Sequence, residues 1–187
     1  MMNRQQAWNL LNTHMKNQNL IRHCLAVEAV MKALAKHFKA DEEKWAIVGL
    51  LHDGDYEETK DNPQTHTIKM AEWLKNECVD DSEILNAILS HNYAHNGQNQ
   101  PQNNLEWSLY CSDELTGLIV AVALVKGKSL ANVDVDSILH KFPVKHFAAG
   151  VRREQIALCQ EKLKINLPGF IDIALKAMKD ISQDLGL

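Results

Sequence analysis

The run Trp45-Ala46-Ile47-Val48-Gly49-Leu50-Leu51 is apolar throughout and ends on His52-Asp53. A segment of that composition folds by being buried, and it carries an imidazole and a carboxylate to the edge of whatever core it joins. A buried carboxylate is costly unless it is paired, hydrogen-bonded or bound to a cation, and histidine is the commonest protein metal ligand. The doublet therefore demands partners from other parts of the chain.

Helical spacing supplies them. Leu20, Cys24, Val27, Met31, Leu34 and Phe38 recur in steps of four and three, the stripe of an amphipathic helix, and His23 borders it. Leu109, Asp113, Thr116 and Val120 recur in the same way, which sets Asp113 on a mostly apolar face. His66 falls in a short polar segment that leads into another helix, and His91 continues the stripe Ile84, Ile88, His91, His95. Period-two alternation is scarce, so an all-α fold is expected. The helices are read as Asn3 to Asn17, Leu20 to Phe38, Glu42 to Leu51, Thr65 to Asn76, Ser82 to His91, Leu105 to Val125, Val135 to Lys141, Arg152 to Leu163 and Pro168 to Leu185. Asp41 is an expected N-cap, and Pro168 suits a first helical position. The polar segments Gly54 to Gln64 and Asn92 to Asn104 flank proposed ligands and are read as loops.

With 187 residues, 45% of them apolar, only four prolines, and no linker or repeat, a single domain over 1–187 is expected. The start Met1-Met2-Asn3-Arg4-Gln5-Gln6 lacks the apolar core of a signal peptide, and no stretch is expected to approach the roughly 20 apolar residues of a membrane span. These features suggest a cytoplasmic protein without a membrane partner. Cys24, Cys78, Cys111 and Cys159 are widely spaced and read as reduced core thiols. The four tryptophans read as packing residues. A net charge of −4 offers no broad attraction for nucleic acid as an obligate partner. Exposed helical faces are compatible with a homodimer.

The order His23, His52-Asp53, Asp113 resembles the HD-domain metal-dependent phosphohydrolase superfamily, whose pattern is a histidine, a distant His-Asp doublet and a later aspartate. Similarity extends through 19–28, 49–58, 113–118 and 147–152, stretches that look like a bacterial subfamily of predicted HD hydrolases. The resemblance implies a single HD-domain helical bundle with a metal site in its core. The motif region would cover about 20–125, followed by a C-terminal helical extension over about 134–187. It also implies that His23, His52, Asp53 and Asp113 hold a divalent metal. In binuclear branches two further histidines complete a second site with the doublet's aspartate bridging, a role that falls here on His66 and His91. The alternative for these two is phosphate binding or loop capping, and His95 could replace His91 or support it. Such nitrogen and oxygen ligands suit one or two ions of manganese, iron, zinc, cobalt or nickel better than magnesium.

The reaction implied is hydrolysis of a small phosphorylated substrate, a phosphomonoester or nucleotide, by metal-activated water. Asp53, Asp55 and Glu57 are the catalytic candidates. A mononuclear nucleotidase branch carries glutamate three residues after the doublet's aspartate, where this chain has Tyr56. Arg22, Lys145 and Arg152 are candidates for binding substrate. Two other readings compete: an HD-fold di-iron oxygenase using the same six ligands, and a metal-containing ligand sensor without turnover. The Gly-Tyr-Pro signature of the cyclic-dinucleotide branch is missing.

Overall fold

The computed structural model describes residues 2–187, so Met1 of the start considered above lies outside the described residues. Every regular element among the described residues is helical. In chain order these are α1 (Arg4–His14), α2 (Gln18–Phe38), α3 (Glu42–Leu51), α4 (Tyr56–Thr59), α5 (Ile68–Asn76), α6 (Ser82–His91), α7 (Tyr93–Asn96), α8 (Asn104–Val125), α9 (Val135–Lys141), α10 (Arg153–Lys162), α11 (Leu167–Asp180) and α12 (Ser182–Leu185), with a 3₁₀ turn at Leu130–Asn132.

Side-chain caps set the helix starts, because each takes up a backbone N–H that the first turn leaves without a partner. Asn17 Oδ1 accepts from the amides of Asn19 and Leu20, so α2 begins before the apolar stripe does. Asp41 accepts from Lys44, Asp81 from Glu83 and Asn103 from Glu106. Asn166 caps α11 through the Gly169 amide, and the helix therefore opens at Leu167, one residue before Pro168.

Three differences from the sequence reading have local causes. α1 stops at His14 instead of Asn17 because the Glu57 carboxylate takes the amides of Lys16 (2.7 Å) and Asn17 (3.1 Å). The two polar segments hold the short helices α4 and α7, each too short to show periodicity. The last helix divides at Ile181, whose N–H turns to Met178 O in a tighter closure.

Helix α2 packs along α3, with α8 and α11 also against it. The closest approach runs through Gly49: a Cβ there would lie 2.8 Å from Val27 O and 2.9 Å from Glu28 Cα. α1 covers α3, while α6 and α10 flank α8. One apolar cluster extends from Met2 to Leu185, so the C-terminal helices share the core of the motif region. Trp45 and Trp107 are buried in that cluster, and Trp8 and Trp73 pack at its edge.

Two expectations need correction. α8 is long and apolar enough, by length and composition, to cross a membrane, and it escaped the sequence reading because polar residues interrupt it. It is a core helix here, with 61% of its apolar window buried against other helices. Cys24, Cys111 and Cys159 are buried free thiols, but Cys78 is exposed, in a left-handed turn after α5 (φ 58°).

The segment between α9 and α10 has no regular structure of its own, and Arg153 folds it. Its guanidinium donates to the carbonyls of Phe142 (3.3 Å), Phe147, Ala148 (2.6 Å) and Val151 (2.7 Å). This planar fork holds both ends of the segment and thereby places Gly150, Val151 and Arg152.

Candidate metal centre

Five elements deliver the candidate ligands. His23 comes from α2, His52 and Asp53 from the end of α3, His66 from the turn before α5, His91 from the last residue of α6, and Asp113 from α8. The structure brings all six together. His52, Asp53, His66 and His91 are buried and His23 and Asp113 half-buried, and all of them except His52 line a cavity of about 460 Å³.

The donor atoms fall into two sets that share Asp53. Around its Oδ2 stand His23 Nε2 (3.6 Å) and His52 Nε2 (3.7 Å). Asp113 Oδ1 completes this set, 2.9 Å from His23 Nε2 and 3.6 Å from His52 Nε2. Around Asp53 Oδ1 stand His66 Nε2 (3.2 Å) and His91 Nε2 (3.3 Å), which are 3.1 Å from each other. Grouped by mutual proximity, His23, His52 and Asp113 could hold one ion, as could His52, Asp53 and His91.

The far side of each imidazole explains why the Nε2 atoms converge. His52 Nδ1 donates to Gly49 O (2.8 Å) and His91 Nδ1 to Ile88 O (3.0 Å). His66 Nδ1 donates to Asp55 Oδ1 (2.8 Å). Thr116 gives its hydroxyl proton to Asp113 O and so offers an oxygen lone pair to His23 Nδ1 at 3.3 Å. With each Nδ1 proton committed, the four Nε2 lone pairs face one another and two carboxylates. Among the described residues, histidines are the sole basic groups within 4.0 Å of the Asp53 and Asp113 carboxylates. Such convergence of lone pairs and anions requires a positive charge between them, and the mixed nitrogen and oxygen donors fit a borderline divalent ion.

Protons are the alternative source of that charge. Burial disfavours charge on His23, yet its hydrogen bond to Asp113 and the charge of Asp53 outweigh burial and push its pKa up to about 9. Burial likewise opposes a charged His66, and Asp53 and Asp55 together raise it to about 10. Burial works against ionising Asp53 and Asp113, but the surrounding histidines hold both well below the ordinary carboxylate range.

Several expected roles are not supported by position. Asp55 is fully buried behind the cluster, accepting from His66 Nδ1 and from the Met70 amide (3.1 Å). The tight turn after Asp53 swings it towards α5, so it orients a ligand and cannot reach a substrate. Glu57 is committed to the α1–α2 connection, where two backbone amides hold its carboxyl below the usual range. Arg22 precedes His23 on α2 and is rotated about 100° from it around the helix; it is exposed and lies over Gly186. Lys145 is exposed on the segment clamped by Arg153 and does not line the cavity. Arg152 does line it.

Other cavity residues were not singled out from the sequence. Glu114, beside Asp113, accepts the Arg152 amide (2.9 Å); burial and the Asp113 charge raise its pKa to about 7. Tyr56 sets its ring edge-to-face against His66, with centroids 5.6 Å apart. Lys60, Asn92 and Gln155 also face the cavity. Lys60 and Asn92 lie in the polar segments flagged beside the ligands, and that proximity was their available signal. His95 lines the cavity and meets Arg152 instead of joining the ligand cluster.

The link from Asp55 to His66 makes a specific prediction. Asp55→Ala should leave the first donor set intact while loosening the imidazole of the second, lowering the affinity of an ion held there roughly ten- to hundredfold. Competition with a fluorescent chelator reads metal affinity in the wild-type protein and the variant. Unchanged affinity would show that Asp55 does not orient His66.

The family model described as HD domain matches residues 20–123, more than half of the chain and all six converging side chains. No curated protein and no solved structure matches it.

Proposed function

The chain belongs to the HD-domain family, a superfamily composed mostly of metal-dependent hydrolases, and we propose that it hydrolyses a small phosphomonoester or nucleotide at a centre of two divalent ions. The observation that carries this reading is Asp53, whose two carboxylate oxygens face separate histidine pairs. One aspartate can bridge two ions in that arrangement.

In this reading His23, His52 and Asp113 would hold one ion and His66 and His91 the other, with Asp53 available to both. Bound divalent ions supply a water of lowered pKa and polarise a phosphoryl oxygen. The protein's own part is to fix the six donors through their Nδ1 hydrogen bonds and to bring substrate against them. Arg152, in the cavity lining, would orient an anionic substrate group. Glu114, the lining carboxyl outside the ligand set, would pass a proton to the leaving oxygen. Tyr56 lines the cavity with its ring against His66.

Phosphate release from a panel of phosphomonoesters and nucleotides tests the proposal, with protein loaded in turn with manganese, cobalt, zinc and iron. The expected result is metal-dependent turnover that a chelator removes and added metal restores. Iron-dependent oxygen uptake without phosphate release would instead favour the di-iron oxygenase reading. Thermal stabilisation by phosphorylated ligands with no product would favour the sensor.

A further inference from the structure

Beyond the His/Asp cluster, the cavity presents polar groups that the protein itself does not satisfy. Arg152 and Lys60 both line it. The Arg152 guanidinium contacts His95 Nδ1 at 3.4 Å, and Glu114 takes the Arg152 backbone amide, leaving the guanidinium without a carboxylate partner among the described residues. Burial and the neighbouring Arg152 hold His95 below its usual pKa, which suits it to accept that bond. Lys60 joins the backbone ladder of α4, and its ammonium has no side-chain partner among the described residues.

Two buried amides add a second, independent sign. Asn92, 1% exposed, donates its Nδ2 to Pro63 O (3.0 Å) and His66 O (3.2 Å). Gln155, 4% exposed, donates its Nε2 to Tyr110 O (2.7 Å). Backbone carbonyls can only accept, so both amide orientations are set, and the Oδ1 and Oε1 atoms are left as acceptors on residues that line the cavity.

Position separates these groups from the reacting phosphoryl: the six His and Asp side chains would hold the ions that meet it, whereas Arg152 and Lys60 line the cavity outside that cluster, and neither has a carboxylate partner among the described residues. We infer that the substrate carries a second anionic group, a phosphate or carboxylate apart from the reacting phosphoryl, held by Arg152 with Lys60. Hydroxyl or amino donors on the same molecule meet Asn92 and Gln155. The cavity of about 460 Å³ suits a compact metabolite of this kind. The inference rests on the phosphohydrolase reading for the identity of the first group, but its second anion site stands on the chain's own residues.

Calorimetric titration of manganese-loaded protein with non-hydrolysable ligands tests it. Short ω-phosphonocarboxylates of graded length are compared with alkylphosphonates of matching length, so that each pair differs in one terminal carboxylate. At the best-fitting length the carboxylate should tighten binding roughly tenfold or more. Arg152→Gln should reduce that advantage to within about twofold, with partial recovery in Arg152→Lys, which restores charge without the planar fork. Lys60→Gln, at an exposed position, should lower the same advantage and provides a variant that disturbs no packing.

Absence of a carboxylate advantage at every length overturns the inference. So does an advantage that survives the Arg152→Gln, Lys60→Gln double substitution. Equal weakening of both ligand series by Arg152→Gln would assign Arg152 to the phosphoryl itself, again overturning the inference while leaving the proposed hydrolase intact. An Arg152-dependent carboxylate advantage in a protein that releases phosphate from no ester would support the anion site and reject the hydrolase reading.

Discussion

Replacement of Asp53 by alanine is expected to abolish phosphate release, by on the order of a thousandfold or more, because it removes a group shared by both donor sets. The effect should extend to metal content. Asp53 Oδ2 stands among His23, His52 and Asp113, and Oδ1 stands 3.2 and 3.3 Å from His66 and His91. Loss of the carboxylate leaves His66 and His91 with no anionic donor and the other set with one. Metal analysis of anaerobically purified, untagged protein should therefore fall from the proposed two ions per chain to one or fewer. Asp53→Asn separates charge from shape: it keeps the side-chain volume but should lose the second ion as well. Wild-type phosphate release by purified Asp53→Ala protein would sink the proposed mechanism. Two tightly held ions in that variant would instead show that Asp53 does not bridge them.

Gly49→Ala is expected to destabilise the fold by about 2 kcal/mol even though alanine is the better helix former by about 1 kcal/mol. The two effects oppose each other, and geometry decides between them. The added methyl would meet Val27 O at 2.8 Å and Glu28 N and Cα at 2.9 Å, all backbone atoms of α2. No side-chain rotation can relieve such contacts, so the helices must separate along their closest seam. For a chain of this size the corresponding drop in Tm is about 4–8 °C, measurable by scanning calorimetry. Gly49→Val should cost more. A rise in Tm for Gly49→Ala would mean that intrinsic helix preference outweighs the α2–α3 contact. The substitution should also weaken metal binding, because Gly49 O anchors the His52 imidazole.

Five of the six converging side chains are legible because each breaks an apolar pattern or stands beside one. His52-Asp53 terminates a continuous apolar run, while His23, His91 and Asp113 border or enter helical stripes whose apolar members are buried or half-buried. Family resemblance supplied the choice of His66, which lies in a polar turn and breaks no such pattern. Asp55 and Glu57 were misplaced by treating nearness along the chain as nearness in space. In fact the turn after the doublet sends Asp55 towards α5, and Glu57 is drawn to the amides of Lys16 and Asn17. The substrate wall was harder to read because Lys60, Asn92, Glu114 and Gln155 come from separate segments, and polar residues in polar surroundings offer no contrast. The short helices α4 and α7 escaped for want of length, since four residues complete barely one turn.

The clamp formed by Arg153 has a consequence for how such chains diverge. The family match ends at residue 123, yet the same cavity is closed by Val151, Arg152 and Gln155, all placed at or beyond the clamped segment. Ion-holding residues and much of the wall that meets the remainder of the substrate thus occupy different stretches of the gene. Mutations in the later stretch can alter preference while the earlier one continues to bind the same ions. Relatives sorted by their His and Asp pattern alone will be grouped by shared chemistry, whereas sorting on the positions around Arg152 should separate them by diet.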